Sequence, residues 1–407
     1  MPRPLNRPKQ DFELQPSEQW WSDHYDELLQ RGYRLRERYN RNVMDAWLVR
    51  DEIDNDEAQL RGLIDIPDDD SAAFVGMDAV QTTKNNRLVW IKLFRLKDPV
   101  DSIEKLVLKD VRELFINSLI ARQPDPFEHC MPLTDVFLAH DKPLAELTAT
   151  SPSSSYVCIV SPWAVLVDRH PWRIAAEALP FVQQLLEGLV YLHRINVAHR
   201  DIHPRNIVMG SAEIFPNGVD PTRNIRLRNI LLDTAPYLDR IEVKAEYCYI
   251  DFGWSTYFSD GNHVVEWEAG VLRLPEVFGM DNPPREAKPT RTPYDAFAGD
   301  VWQLGTTFKF FFGNSIPSLR PLFSAMTQCD PSKRPTAEQC LTDFHARTDR
   351  LPRWQLLLPV RDASYIARQP DSGWRLRVAC FIIHWSEYFR LLRKALRLGL
   401  PKRETSQ

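Results

Sequence analysis

A chain of 407 residues with 43% hydrophobic and 26% charged residues has the make-up of a folded globular protein, which excludes wholesale disorder, collagen-like repeats and a small disulfide scaffold. Lys and Arg number 51 against 55 Asp and Glu, a net charge of −4 that carries no nucleic-acid signature. Six cysteines without a C-x-x-C pair read as reduced thiols rather than zinc ligands, and Met1 to Gln10 lacks the apolar core of a signal peptide, so an intracellular setting, cytoplasmic or nuclear, is expected.

Along the chain, Glu18 to Tyr39 places Trp21, Tyr25, Leu28 and Leu29 three and four apart, the spacing of an amphipathic helix packed on a larger body. Residues 1–70 therefore read as an N-terminal helical extension, closed by the acidic break Asp65 to Asp70. Ala72-Ala-Phe-Val-Gly76 and Leu88-Val-Trp-Ile-Lys-Leu-Phe94 are strand-like, and Pro99 to Ala121 has helical spacing at Ile103, Leu106, Val107, Val111 and Leu114. Val136 to Leu138 and Tyr156 to Val160 return to strand, so a β-rich unit with one helix is expected over 71–160. From Arg173 the character changes: Ala175 to His193, Asp300 to Phe312 and Ile316 to Gln328 predict helices, making 161–345 mainly helical. Inside it, Gly210 to Glu242 holds Pro216-Asn-Gly218, Asp220-Pro221 and Pro236 among charges, an insertion closing as a surface loop near 210–242.

The last segment, 346–407, is a basic amphipathic tail. Val378, Phe381, Trp385, Phe389, Leu392 and Leu396 form an apolar stripe beside Arg375, Arg377, Arg390, Arg393, Lys394 and Arg397. Two readings stand: a helix packed on the helical unit, which is favoured, and a helix lying on an anionic membrane or a partner. No apolar run approaches the ~20 residues of a membrane span.

The sharpest chemical signal is His199-Arg-Asp-Ile-His-Pro-Arg-Asn206. A carboxylate and an amide five residues apart on a short loop can face one reacting centre. Asp201 would orient or accept the proton of an attacking hydroxyl, and Asn206 would hold a metal on nucleotide phosphates. Tyr249-Ile-Asp-Phe-Gly253 sets a second carboxylate, Asp251, at the end of an apolar strand, which suits a magnesium ligand. Val89-Trp-Ile-Lys92 puts a lone cation into an apolar strand, costly unless it pairs with phosphate and a helix carboxylate, for which Glu113 is best placed.

Strand lysine, helix glutamate, H-R-D-x-x-x-x-N, D-F-G and P-E in this order resemble the eukaryotic protein kinases. Leu274-Pro-Glu276 looks like the end of the activation segment, and Asp300-Val-Trp-Gln-Leu-Gly305 like the helix supporting the catalytic loop. Asp330-Pro-Ser-Lys-Arg-Pro-Thr336 looks like the segment whose Arg334 pairs with Glu276; the resemblance covers about residues 74–345. Gly32-Tyr-Arg-Leu-Arg36 and Gly76-Met-Asp-Ala79 are similar to a fungal-type branch of kinase-like proteins. The resemblance implies an α+β, bilobal protein-kinase-like fold, with a small β-rich N-lobe carrying one helix and a larger, mainly helical C-lobe. It also implies ATP and Mg2+ as cofactors and a protein Ser/Thr hydroxyl as acceptor. Lys92 would hold the α/β-phosphates and pair with Glu113, Asn206 and Asp251 would hold metal, and Asp201 would align the acceptor. Arg228-Asn-Ile-Leu-Leu-Asp233 mimics the strand after a catalytic loop, but only Asn206 has the right distance from Asp201, so Asn229 is rejected.

The chain departs from the family in several places. No G-x-G-x-x-G precedes Lys92, and Gly76 is the only glycine between Leu63 and Lys92. His203 stands where a lysine usually contacts the phosphate, with Arg205 able to supply a fixed charge instead. Ala269 replaces the threonine that usually bonds the catalytic aspartate, and the stretch from Asn206 to Asp251 is several times the family length. Arg200 is a cation that in many kinases is neutralised by an activation-segment phosphate. Ser255, Thr256, Tyr257 and Ser259 are candidate acceptors, and Asp260, Glu266 and Glu268 could supply constitutive charge instead. The expected function is an ATP-dependent protein kinase, Ser/Thr rather than Tyr, with a pseudokinase scaffold or nucleotide-sensing module as the alternative. A small-molecule phosphotransferase is disfavoured by Leu274-Pro-Glu276, Asp300 and Arg334.

Overall fold

A computed structural model describes residues 14–16, 18–48, 76–100, 102–103, 111–142, 154–169, 172–210, 214–215, 237–268, 274–278, 293–313, 315–360 and 374–398. The chain is a mixed helix-and-sheet molecule with two units, one built from residues up to Leu114 plus Pro132–Trp163, the other from Phe115–Met131 and most of the chain from Ala164 onward. The acidic break, the run Ala72 to Val75, Leu106 and Val107, Asn229, Ala269 and most of the 210–242 insertion lie outside the described residues.

In the first unit, alternation of Val89, Ile91 and Leu93 with Trp90, Lys92 and Phe94 gives β3 (Arg87–Val100) two faces. β3 is the centre of an antiparallel sheet whose spatial order is β1 (Tyr33–Arg34), β2 (Gly76–Gln81), β3, β5 (Ser154–Pro162) and β4 (Asp135–Ala139). One face buries Val89, Ile91, Leu93, Cys158 and Val160 with Trp21, Tyr25 and Leu28. The other packs Leu96, Val157 and Ile159 with Val111 and Leu114, at the start of the helix Arg112–Ala121. Each such buried aliphatic or aromatic side chain contributes roughly 1.5–3 kcal/mol, so the Trp21 segment is an integral part of this core.

Three local expectations change. The single helix over Glu18 to Tyr39 is instead two, Gln19–Asp23 and Tyr25–Gln30, parted at His24 and followed by β1 and a 3-10 turn at Glu37–Tyr39. Gly32, at φ +92°, ends the helical stretch and turns the chain into the sheet. Pro99, expected in a helix, lies in β3 where the register against β5 shifts between Arg95 and Val100, a place where a residue without an N–H is tolerated. The helix after it begins at Arg112 among the described residues. The Ile316 to Gln328 helix starts as a 3-10 turn, Pro317–Leu319, before the helix Arg320–Met326, each with a proline in its first two positions.

In the second unit, the helix Ala175–Arg194 buries Ala178, Phe181, Val182, Leu185, Leu189 and Leu192, the three- and four-residue spacing read from the sequence. Strands β6 (Ala164–Leu166), β8 (Ile207–Gly210) and β9 (Tyr247–Tyr249) form a three-stranded antiparallel sheet. β7 (Val197–Ala198) pairs with β10 (Thr256–Tyr257), and β11 (Val264–Val265) with β12 (Tyr294–Asp295). Helices Ala296–Phe312 and Ala337–Asp349 complete the core.

The tail forms the helix Trp374–Leu398, whose Leu391 and Ala395 are buried with Ile174 and Ala176. Arg390 donates twice to Asp239, at 2.7 and 2.8 Å, and Lys394 donates to Asp239 at 2.8 Å and bonds Glu242. These are contacts of the packed reading of the tail. Burial alone would raise the Asp239 carboxyl, but Arg390 and Lys394 outweigh it and hold the pKa down to about 2. A folded-state pKa below the unfolded one means the contribution is present above about pH 4 and fades as pH falls toward 2. Because both cations are partly exposed, it is worth only ~1–2 kcal/mol. Asp239→Asn is therefore expected to lower the urea midpoint at pH 7 and to differ less from wild type at pH 3; equal midpoints at pH 7 would contradict the assignment.

Candidate active site

In the first unit, Lys92 shares the face of β3 that carries Phe94 and Leu96, the face packed with Val111 and Leu114. Its Nζ donates to Glu113 Oε2 at 2.6 Å and lies 5.2 Å from the centre of the Phe94 ring. Glu113 is buried in the first turn of its helix, where the aligned peptide dipoles favour a carboxylate. Gly76 stands directly across from Lys92 in β2, and a Cβ there would lie 2.6 Å from the Trp90 indole, so this glycine serves packing within the sheet. Between β1 and β2 the described residues hold the 3-10 turn Glu37–Tyr39 and the helix Arg41–Leu48, and the sequence before Lys92 contains no G-x-G-x-x-G. Arg36, just after β1, pairs with Asp78 of β2.

In the second unit, His199 to Asn206 runs between β7 and β8 and is held from below by one helix. Asp300, fully buried in Ala296–Phe312, accepts the His199 N–H at 2.8 Å and the Arg200 N–H at 2.7 Å, and its Oδ2 lies 3.2 Å from His193 Nε2. Gln303 of the same helix accepts the Ile202 N–H and donates to the Arg200 carbonyl, both at 2.8 Å. His199 is wholly buried, and that burial lowers its pKa. One neutral tautomer satisfies both ring nitrogens, with Nε2–H donating to the Ile250 carbonyl at 3.1 Å and Nδ1 accepting the Asp201 N–H at 3.3 Å.

Asp201 and Asn206 are brought together: Asn206 Nδ2 donates to the Asp201 carbonyl at 2.9 Å and to its Oδ2 at 3.0 Å. With the amide nitrogen so engaged, the atom Asn206 offers to a hard cation is its oxygen. The Ile250 N–H donates to the Asn206 carbonyl at 3.1 Å, which sets Asp251 one residue beyond this contact. Among the described residues no group of three or more His, Cys, Asp or Glu could hold a metal ion by itself. The oxygens of Asn206 and Asp251 fit Mg2+ only if phosphate oxygens complete the shell. His203 Nδ1 accepts the Arg205 N–H at 3.1 Å, and its Nε2 lies 3.5 Å from Asp201 Oδ2; the Arg205 side chain is exposed.

Two features escape a reading of residue types. Arg200, which directly precedes Asp201, and Asp251 itself have φ of +69° and +64°, a left-handed backbone that costs of order 1–3 kcal/mol in non-glycine residues and persists only where surroundings enforce it. Tyr294, outside every motif, accepts from Arg200 Nε at 3.1 Å. Farther along, Arg334 donates to both Glu276 oxygens at 2.8 and 2.7 Å, as the motif reading expects.

No protein family model matches the chain. Among curated proteins, mitogen-activated protein kinase pmk-1 of Caenorhabditis elegans is 24% identical over 190 residues, 41% of this chain and 49% of that protein. A calcium/calmodulin-dependent serine/threonine-protein kinase of Malus domestica is 26% identical over 234 residues, 54% of this chain and 50% of that protein. Mitogen-activated protein kinase p38a of Drosophila melanogaster is 26% identical over 203 residues, 45% and 54% of the two chains. The chain thus spans about half the length of these relatives. Similarity to serine/threonine protein kinases supports the eukaryotic protein kinase superfamily in general.

Proposed function

We propose that the chain is an ATP-dependent protein kinase of bilobal kinase-like fold, transferring the γ-phosphoryl group to a Ser or Thr hydroxyl of a protein. The observation that carries the reading is the Asp201–Asn206 bridge on a loop tied down by Asp300 and Gln303. Residues 71–160 and 161–345 are read as N-lobe and C-lobe, with 18–48 adding β1 and the Trp21 cluster to the first. The fungal-type branch rests only on the wording around Gly32 and Gly76.

Lys92, kept in place by Glu113, would bind the α/β-phosphates. Asp201 would orient the acceptor hydroxyl and take its proton, and Asn206 and Asp251 would hold Mg2+, which when bound neutralises phosphate charge. A proton on His203 Nδ1 would displace the Arg205 N–H it accepts, so Arg205 is the better source of fixed charge toward the transferring group. The second reading, a pseudokinase, is favoured by the lack of a G-x-G-x-x-G in the sequence before Lys92. Among the described residues no helix is long and apolar enough to cross a membrane.

Calorimetry with ATP and MgCl2 tests the cofactor assignment. Wild type is expected to bind, and Lys92→Met to bind roughly ten- to a hundredfold more weakly, the worth of a charge-assisted hydrogen bond. Wild type that binds no nucleotide with either Mg2+ or Mn2+ would refute it.

A further inference from the structure

We propose that Glu268 is a positioning residue for Asp201: its carboxylate, paired with Arg200, holds the stretch Asp251 to Glu268 against the catalytic loop with no phosphate required. The consequence for turnover rests on the kinase reading; the clamp itself does not.

The Arg200 side chain is 1% exposed, and a guanidinium cannot shed its charge, so the protein must match it. Nε donates to the Tyr294 hydroxyl, Nη2 to the Glu266 carbonyl at 3.0 Å, and Nη1 to Thr256 Oγ1 at 3.0 Å and Glu268 Oε1 at 2.8 Å. Glu268 is the one anion in this set. The guanidinium therefore ties these four points, and through Nη1 the Trp254 carbonyl at 3.4 Å, to the residue just before Asp201, while that residue's own N–H is fixed by Asp300.

The hydroxyls nearest Arg200 are already committed. Ser255 is 1% exposed and donates to the His199 carbonyl at 3.2 Å, and Thr256 accepts from Arg200 itself. Thr256 also pairs with Ala198, zipping β10 onto the strand that enters the catalytic loop, and the Phe258 N–H donates to the Asn196 carbonyl at 2.9 Å. A phosphate on Ser255 or Thr256 would break these bonds. At Ser255 and Thr256 the geometry favours the built-in acid over an added phosphate, and among Asp260, Glu266 and Glu268 the acid whose carboxylate meets Arg200 is Glu268.

Hydrogen exchange on the full chain, before and after treatment with a broad-specificity phosphatase, tests this. Wild-type amides over 254–268 and at Arg200 and Asp201 are expected to exchange at one rate in both conditions. Glu268→Gln, isosteric at a side chain 40% exposed and checked by its melting temperature, is expected to speed exchange in both stretches about tenfold. Glu266→Gln, whose residue contributes only its carbonyl to Arg200, is expected to match wild type. In parallel, Glu268→Gln should lower kcat about tenfold with KM for ATP within about twofold, and Glu268→Asp should recover part of the loss. Exchange in Glu268→Gln within twofold of wild type, or dephosphorylated wild type exchanging as fast as the variant, overturns the proposal. Wild type that transfers no phosphate would end the kinase reading, while the exchange comparison would still decide the clamp.

Discussion

Asp300→Asn is expected to lower stability by about 3 kcal/mol and phosphotransfer by about 10²-fold. The Asp300 side chain is fully buried, and its two oxygens accept the N–H groups of His199 and Arg200, the two residues that precede Asp201. Asparagine offers a single oxygen and turns an NH2 toward the other N–H, so one hydrogen bond to a charged group becomes a clash of donors. Such a bond is worth roughly 1.5–3 kcal/mol, and the unsatisfied buried donor adds to the cost. Arg200 already holds a left-handed backbone that its surroundings must enforce. When that support goes, Asp201 shifts, and a displacement of about 1 Å at a reacting group can cost 10²-fold. Urea unfolding and single-turnover kinetics on the same preparation measure both effects. A variant with wild-type midpoint and turnover would show that Asp300 does not set the loop.

The parts of the site fixed by local sequence were legible. Lys92 in an apolar strand demanded a carboxylate, and Glu113 meets it at 2.6 Å; Asp201 and Asn206 five residues apart do converge. Arg334 finds Glu276 because both sit in motifs whose order is itself the signal. Periodicity also placed the helix Ala175–Arg194 and the strand through Lys92, since one buried stripe or one buried face is written directly into residue spacing.

What stayed hidden depends on contacts distant in sequence. Tyr33–Arg34 is too short to register as a strand, and it joins the sheet only through β2, beyond a long connection. Trp21, Tyr25 and Leu28 gave the right buried face but the wrong continuity, because the break at His24 leaves the i, i+4 spacing intact. Tyr294 lies roughly ninety residues from Arg200 and belongs to no motif, and the sequence left Glu268 as one of three acids that could meet Arg200 without showing which of them does. Positive φ at Arg200 is likewise a demand of the surroundings with no residue-type signal to announce it, and at Asp251 the signal is weak, aspartate being one of the residue types that tolerate this region.

The claim that the chain is a kinase stands on Asp201 acting as the group that aligns and deprotonates the acceptor hydroxyl. Asn at this position keeps the size of the side chain and can still meet Asn206, while removing the charge that a proton acceptor needs. The loss from such a change is about 10²–10⁴-fold in rate, with little change in stability, since the loop is anchored by Asp300 and Gln303. The decisive measurement is transfer of label from γ-labelled ATP to the protein itself and to a generic basic protein acceptor, with and without Mg2+, for wild type and Asp201→Asn. The account predicts Mg2+-dependent incorporation on Ser or Thr by wild type and its loss in Asp201→Asn at an unchanged melting temperature. Incorporation that persists undiminished in Asp201→Asn, or a folded, ATP-binding wild type that transfers nothing, would contradict it.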